Sequence, residues 1–527
     1  MTNFPDALPA DYWQKMEITK QDIEFLHSYL FDIETPQTVV ELVPVLVKER
    51  IRYEQEVFLK KKEAGGKIYF PKEKYVVGDE MVFPAMEWMK GKVISIKAGV
   101  NPAVGDFDVL TVIMEASDEH QFAAQLDNHS LNVSLESLIK KDDLDPLTIV
   151  QTYRIDLEKK LDAALQADTG LVRIAGSWFP RSLLVKVNLG HLNLAEAVLD
   201  LAKGEPLPTA DLLTDIELPD GVNPKLAEFS LNLALQDDPR FDEVGPTGQV
   251  LWCLQRLEPK EVREIPSYLR YIPIEHDRSV LMDDMLTLET QLDDELSEGS
   301  HQIIQPDDDE VVISLIYPHW RVGTLPISTR GRSFFPTAYE SPRIRFTLVD
   351  GKTGEKMPAW VVKHSCYVFG LHDWYKSNEL IPGSLIRLRH GIKPGEVIIE
   401  AKARRATRDW IRTVIVGADG GMVFALLKQV ITADYNDRMV IAVSDVEAID
   451  KLWFQSSKSR QSFEQIIINV MRELTKLNPQ GHVHAQELYS VVNIIRRCPP
   501  APIFCMLAAC SKIIHVGDLY FRLDESS

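Results

Sequence analysis

The feature that most limits how this chain folds is an order of elements that occurs twice. Through 150–275, the stretches EAVLDLAKGEPLPTADLL, PKLAEFSLNLALQDD and RFDEVGPTGQVLWCL run helix, helix, helix, hairpin. Residues 460–527 repeat it. A helix opens at Ser462, with Gln465 three residues on as in a capping box. Its apolar spacing at Phe463, Ile466, Ile467, Val470, Met471 and Leu474 marks one buried face. HVHAQELYSVVNIIRR, APIFCMLAACSK and the hairpin IIHVGDLYFRL follow. The hairpins align Val244-Gly245…Leu251-Trp252 with Val516-Gly517…Leu519-Tyr520. Near the N-terminus, TPQTVVEL echoes PLPTADLL, so the helical segment 1–62, with Thr19 as N-cap and Asp22 behind it, reads as a third, degenerate copy. Three short helices closed by a hairpin make a winged-helix unit.

Between the copies the pattern changes to alternation. KIYF, YVVGDEMVF, KGKVISI and FDVLTVIM, separated by Gly-rich turns, predict a small β-barrel within 67–145. Strand-like runs return in 311–415, and 416–455 reads as a β-rich connector in which GADGGM turns a hairpin between WIRTVIV and MVFALL. The expected fold class is therefore a multidomain α+β chain.

Charge is distributed unevenly. The chain carries a net −20, yet residues 311–415 hold 17 Lys+Arg against 8 Asp+Glu, a net of +9 that leaves −29 for the rest. Immediately upstream, 281–310 contains 11 acids and no Lys or Arg, and reads as an acidic linker. An overall negative charge argues against indiscriminate nucleic-acid affinity, so any such function must be local to the basic domain. Apolar runs are broken by charge well short of a membrane span, and MTNFPDALPADYW has no signal-peptide pattern. Five cysteines without a CxxC fit a reducing, cytoplasmic setting.

Two resemblances give these patterns a context. The copies at about 193–254 and 460–524 resemble the HARE-type winged helix, the family that includes the delta subunit of bacterial RNA polymerase. Shared are the first helix, the short polar strand opening the second, and a hairpin with Val-Gly and an aromatic. This implies a role in transcription. The run GTLPIS…SFFP…RIRFTLVDGKTGEKMPAWVVK…YVFGLHDWYKSNELIPGSLIRLRHG, about 311–402, resembles the plant-type B-three DNA-binding pseudobarrel. Its elements stand at Leu325 to Ser328, Val349 to Gly351, Trp360 to Val362, Trp374, Leu380, Pro382-Gly383 and Leu385 to Leu388; Ser384 replaces the family's Asp after the turn glycine.

That second resemblance implies DNA read by two β-arms in the major groove, one with Arg321, Arg330 and Arg332, the other with Lys363 and His364. Arginine offers a fork to guanine edges or phosphates, and lysine a point charge. The tail AKARRATRDWIR adds Arg404, Arg405 and Arg408, read either as a phosphate-positioning stripe or as a solvated helical face. The third helices of the two better copies are unsuited to base reading, since PKLAEFSLNLALQDD is net acidic and APIFCMLAACSK almost wholly apolar. They point to protein partners.

The resulting expectation is a non-enzymatic DNA-binding regulatory protein that binds duplex DNA through the barrel. Its winged helices would contact protein, RNA polymerase among the implied partners, with the acidic segment occupying the basic surface when DNA is absent. No catalytic residue, metal or cofactor is expected. An interaction scaffold attached to RNA polymerase or a defence complex is the alternative. A metal-dependent nuclease, with Glu400-x-Lys402 and Asp350 or Asp373 as the upstream acid, is a lesser one. His482, His484, Cys498, Cys505, Cys510 and His515 crowd one region without the spacing of a zinc site.

Overall fold

The structure, a computed structural model, describes residues 11–63, 66–83, 86, 89–100, 106–114, 118–132, 145–216, 218–219, 221–299, 309–393, 395–417, 420–458 and 461–524. The fold is mixed α/β with several separate sheets. Two compact units divide the chain: 1–185 with 221–229, and 186–220 with 230–527.

In the first unit, helix α1 (Lys20–Ile33) starts at the expected Thr19–Asp22 capping box. Strand β1 (Gln37–Thr38) and helix α2 (Val39–Glu63) follow. A five-stranded sheet then intervenes, formed by β2 (Lys67–Ile68), β3 (Glu80–Phe83), β4 (Met89–Ala98), β5 (Asp108–Met114) and β6 (Glu119–Ala124). It curls, with Leu126 N–H donating to the Pro71 carbonyl (2.9 Å) and Gln125 N–H to that of Glu73 (3.1 Å). Positions 133–144 of this expected domain lie outside the described residues. After it come α3 (Pro146–Gln166), β7 (Leu171–Ile174) and β8 (Ser177–Pro180), and β8 pairs back with β1. The hairpin that completes the N-terminal copy therefore comes from 171–180, which the sequence reading assigned to the 150–275 domain. The inserted sheet separates the second helix from the third and hides the match.

The second unit contains the last occurrence of this arrangement and most of another, whose third helix begins within the 221–229 segment of the first unit. The latter comprises α4 (Leu189–Leu201), β9 (Leu207–Pro208), α5 (Thr209–Leu212), α6 (Pro224–Gln236), β10 (Phe241–Glu243) and β11 (Leu251–Leu254). Its core gathers Ala195, Leu199, Leu212, Leu231, Leu235 and Trp252. In each occurrence the final strand lies between its hairpin partner and the two-residue strand that precedes the second helix.

Residues 281–299 are folded rather than a linker. Helix α7 (Asp283–Leu292) buries Met285 and Leu288 in the largest hydrophobic core. A seven-stranded sheet follows, built from β12 (Glu310–Ser314), β13 (Thr324–Pro326), β14 (Arg343–Asp350), β15 (Lys356–Val362), β16 (Tyr367–Phe369), β17 (Leu385–His390) and β18 (Glu396–Ala401). Its spatial order is β12-β17-β18-β14-β15-β16-β13, antiparallel except for β14 beside β18. Short helices α8 (Tyr317–Val322) and α9 (His372–Ser377) connect β12 to β13 and β16 to β17. Alternation along β14, buried at Ile344, Phe346 and Leu348, sets the core face, and Trp374 and Leu380 pack into the same core.

Beyond the sheet, β19 (Ala403–Val416) and β20 (Met422–Ala433) form a long antiparallel ribbon, with β21 (Ala442–Val443) beside β19. The tail AKARRATRDWIR is thus extended strand and not a helical face. Helix α10 (Val446–Lys458) leads to the last occurrence: α11 (Phe463–Thr475), β22 (Val483–His484), α12 (Ala485–Ile495), α13 (Pro500–Ala509), β23 (Ile513–Gly517) and β24 (Tyr520–Leu523). Helix α13 is buried at Ile503, Phe504, Cys505 and Leu507, as its apolar composition requires.

Candidate nucleic-acid interface

The structure brings two of the expected arms together and sends the remaining residues elsewhere. The loop 327–342 carries Arg330 and Arg332, and the turn after β15 carries Lys363 and His364. Arg332 Nη2 reaches Cys366 Sγ at 3.7 Å, while Lys363 Nζ donates to the Ala338 carbonyl at 2.7 Å. Arg321, on α8, is turned away from both. Its guanidinium forms a two-point bond with Asp450 on α10 (2.7 and 3.0 Å) and lies over the Tyr268 ring. Arg404, Arg405 and Arg408 lie on the ribbon, exposed.

The first arm is already occupied by an anion, the Asp293 carboxylate. Asp293 caps α7 in the left-handed conformation (φ 50°), with its side chain 9% exposed. It accepts from Ser328 Oγ (2.5 Å), the backbone N–H groups of Thr329 (3.1 Å) and Arg330 (3.2 Å), and Arg330 Nε (3.2 Å). Two amides, a hydroxyl and a guanidinium form the donor set that holds a phosphate oxygen in anion-binding nests.

Asp293 is fixed by its neighbours. The Arg497 guanidinium, fully buried, pairs with Asp294 (2.5 Å) and Glu295 (2.7 Å). Tyr489 Oη donates to Asp294 (2.5 Å), and His319 bridges Glu295 (3.0 Å) to Thr324 Oγ1 (2.9 Å). Burial pushes the Glu295 carboxyl up, but Arg497 and His319 together hold it below the usual range. The network fastens the acidic segment to the sheet and to the C-terminal helices.

Carboxylates also surround the second arm. Burial lowers the Lys363 ammonium's affinity for its proton, against the opposing pull of Glu340 and Glu243. Burial pushes the Glu243 carboxyl up to about 7. On β14, Arg343 pairs with Asp242 and lies 3.4 Å from Glu258; burial and the shared hydrogen bond with Asp242 push Glu258 up to about 8. Arg345 pairs with Glu205, Arg387 with Glu310, and Arg412 with Glu487. The positive excess of 311–415 is largely met by acids from outside that range.

Of the two nuclease sets, the one built on Asp350 with Glu400 and Lys402 is held apart by its own pairings. Asp350 sits opposite Ile399 in the parallel pair and points inward, where it accepts from Trp374 Nε1 (2.6 Å) and the amides of Lys352 and Thr353. Glu400, one residue on, faces the other side and pairs with Arg389 (2.8 Å); Lys402 pairs with Asp434 (2.8 Å). Among the described residues no group of three or more His, Cys, Asp or Glu has metal-holding geometry. Cys498 and Cys505 are buried, and His484 caps α12, with burial lowering its imidazole to about 4.

Sequence reasoning saw the acidic run as a whole and missed Asp293 within it; its position as the first residue of a DDE cluster carries no distinguishing signal. It also passed over Trp410 and Lys428, which the ribbon brings side by side. No family model, curated protein or solved structure matches the chain.

Proposed function

We propose that this is a non-enzymatic DNA-binding regulatory protein whose seven-stranded, B-three-like barrel contacts duplex DNA through the loop 327–342 and the turn at Lys363 and His364. The barrel is held closed by Asp293. The observation that carries this reading is the anion seat at Ser328, Thr329 and Arg330, which has phosphate-binding chemistry and is filled by the chain's own carboxylate. Juxtaposition of the two arms supports it further. The three helix-and-hairpin copies, read as winged helices, serve protein contact, because their third helices lack a basic face: α3 carries Arg154, Lys159 and Lys160 against Asp156, Glu158 and Asp162, and α13 carries no charge.

The test is duplex affinity of the full chain against Asp293→Asn, a residue tolerated in the left-handed conformation. Tightening of about tenfold or more at low salt is expected from opening one charge-assisted phosphate seat. Equal affinity of the two proteins would refute the closed-barrel reading. A second reading, an interaction scaffold with no DNA contact, is favoured by the Arg321–Asp450 and Arg343–Asp242 pairs, which spend basic side chains internally. It is the conclusion if neither protein binds.

A further inference from the structure

The ribbon presents a surface that the barrel reading does not use. Side chains alternate along β19 and β20, so Arg408 and Trp410 share one face with their cross-strand partners Val430 and Lys428, and with Leu426 next along. This half of the face is open: Trp410 is 63% exposed, Val430 60% and Leu426 44%. Lys428 Nζ lies 5.2 Å from the centre of the Trp410 ring. Among the described residues, Arg405 and Arg408 have no hydrogen-bond or ion-pair partner. The one acid on the two strands, Asp409, points to the opposite face, where Tyr435 Oη (3.3 Å) and Arg404 (3.6 Å) take it up.

The indole is open to water beside its cationic neighbour Lys428, and Arg408 on the same face carries a charge that no acid of the two strands meets, in contrast to the basic residues of the barrel. We propose that this face binds an unpaired nucleic-acid strand, stacking a base on Trp410 while Arg408 and Lys428 take adjacent phosphates and Arg405, in the irregular stretch toward the start of β19, takes one further along. Charge complementarity selects a polyanion, and the open aromatic ring selects one whose bases are free to stack. A paired duplex keeps its π-faces covered. The surface is independent of the Asp293 seat.

The test is titration of the full chain and its variants with a short oligothymidylate, a mixed-sequence duplex and phosphatidylserine vesicles. Parent protein is expected to bind oligothymidylate with affinity that falls as salt rises. Trp410→Ala should weaken binding about tenfold or more, and Trp410→Phe should retain most of it. Removing Arg405, Arg408 and Lys428 together should reduce the salt slope by about 2. Oligothymidylate binding indifferent to Trp410→Ala, or no binding, overturns the proposal. So does Trp410-dependent binding to vesicles in place of the oligonucleotide. Asp293→Asn acts on duplex affinity and Trp410→Ala on the single strand, so either reading is able to fail alone.

Discussion

Arg497 is the side chain on which the most buried charge depends. Two carboxylates and a tyrosine hydroxyl converge near it, all of them buried, and breaking such a pair leaves uncompensated charge in the core. Arg497→Met is expected to lose about 3–5 kcal/mol in urea denaturation. Adding Asp294→Asn and Glu295→Gln should recover part of that loss, because the charges that required the guanidinium are gone. A loss below about 1 kcal/mol would mean that water reaches the site. At this scale the sequence is least legible. Asp293, Asp294 and Glu295 are three consecutive acids in a run of 11, and composition treats them alike. One seats on a loop and two are sealed against Arg497, a distinction set by residues distant in sequence.

Among the elements, turns and alternating strands were the most legible. Pro382-Gly383 forms the expected turn, with Ser384 N–H bonding to the Ile381 carbonyl (2.9 Å). Gly383 adopts φ 94°, and a Cβ there would lie 2.3 Å from Val440 Cα. Gly383→Ala should therefore cost at least about 2 kcal/mol, measured by thermal or chemical unfolding. The ribbon was only half legible. WIRTVIV and MVFALL carry apolar residues because one face is buried there, while in the other half the inward face mixes Thr407, Asp409 and Gln429 with Ile431 and Ala433, and so gives no apolar period. The N-terminal copy was recognised only in its first part, 1–62, because the sheet inserted before its third helix carries that helix and the closing hairpin away to 146–180.

The hairpin β10–β11 offers a pH test of how elements dock on the sheet. Glu258, at about 8, and Glu243, at about 7, both sit above their ordinary value of 4.5. The folded state therefore holds protons that the unfolded chain releases. Stability from these groups is fully present below about 4.5 and is lost as pH rises through 7 to 8. Glu258→Gln should flatten that part of the profile and raise the melting temperature relative to the parent at pH about 8. A profile unchanged by the substitution would place the titration elsewhere.

For the whole molecule, the uneven charge seen in the sequence becomes an internal complement. Arg321 meets Asp450, Arg343 meets Asp242, and Arg330 meets Asp293, so a net of +9 over 311–415 does not amount to an open basic surface. The sequence located the opposing charges but had no means of showing that they pair with each other. What remains exposed and basic is the ribbon, and what is basic but closed is the first arm. No described helix is long and apolar enough to cross a membrane.

The central claim is that Asp293 fills a phosphate seat on a DNA-binding barrel, and the most direct measurement is the salt dependence of duplex binding by Asp293→Asn. The account predicts tighter binding than the parent, with log affinity falling about 0.9 per phosphate contact against log salt. It further predicts that adding Arg330→Ala removes the gain. Parent and Asp293→Asn curves that coincide across the salt range would contradict it.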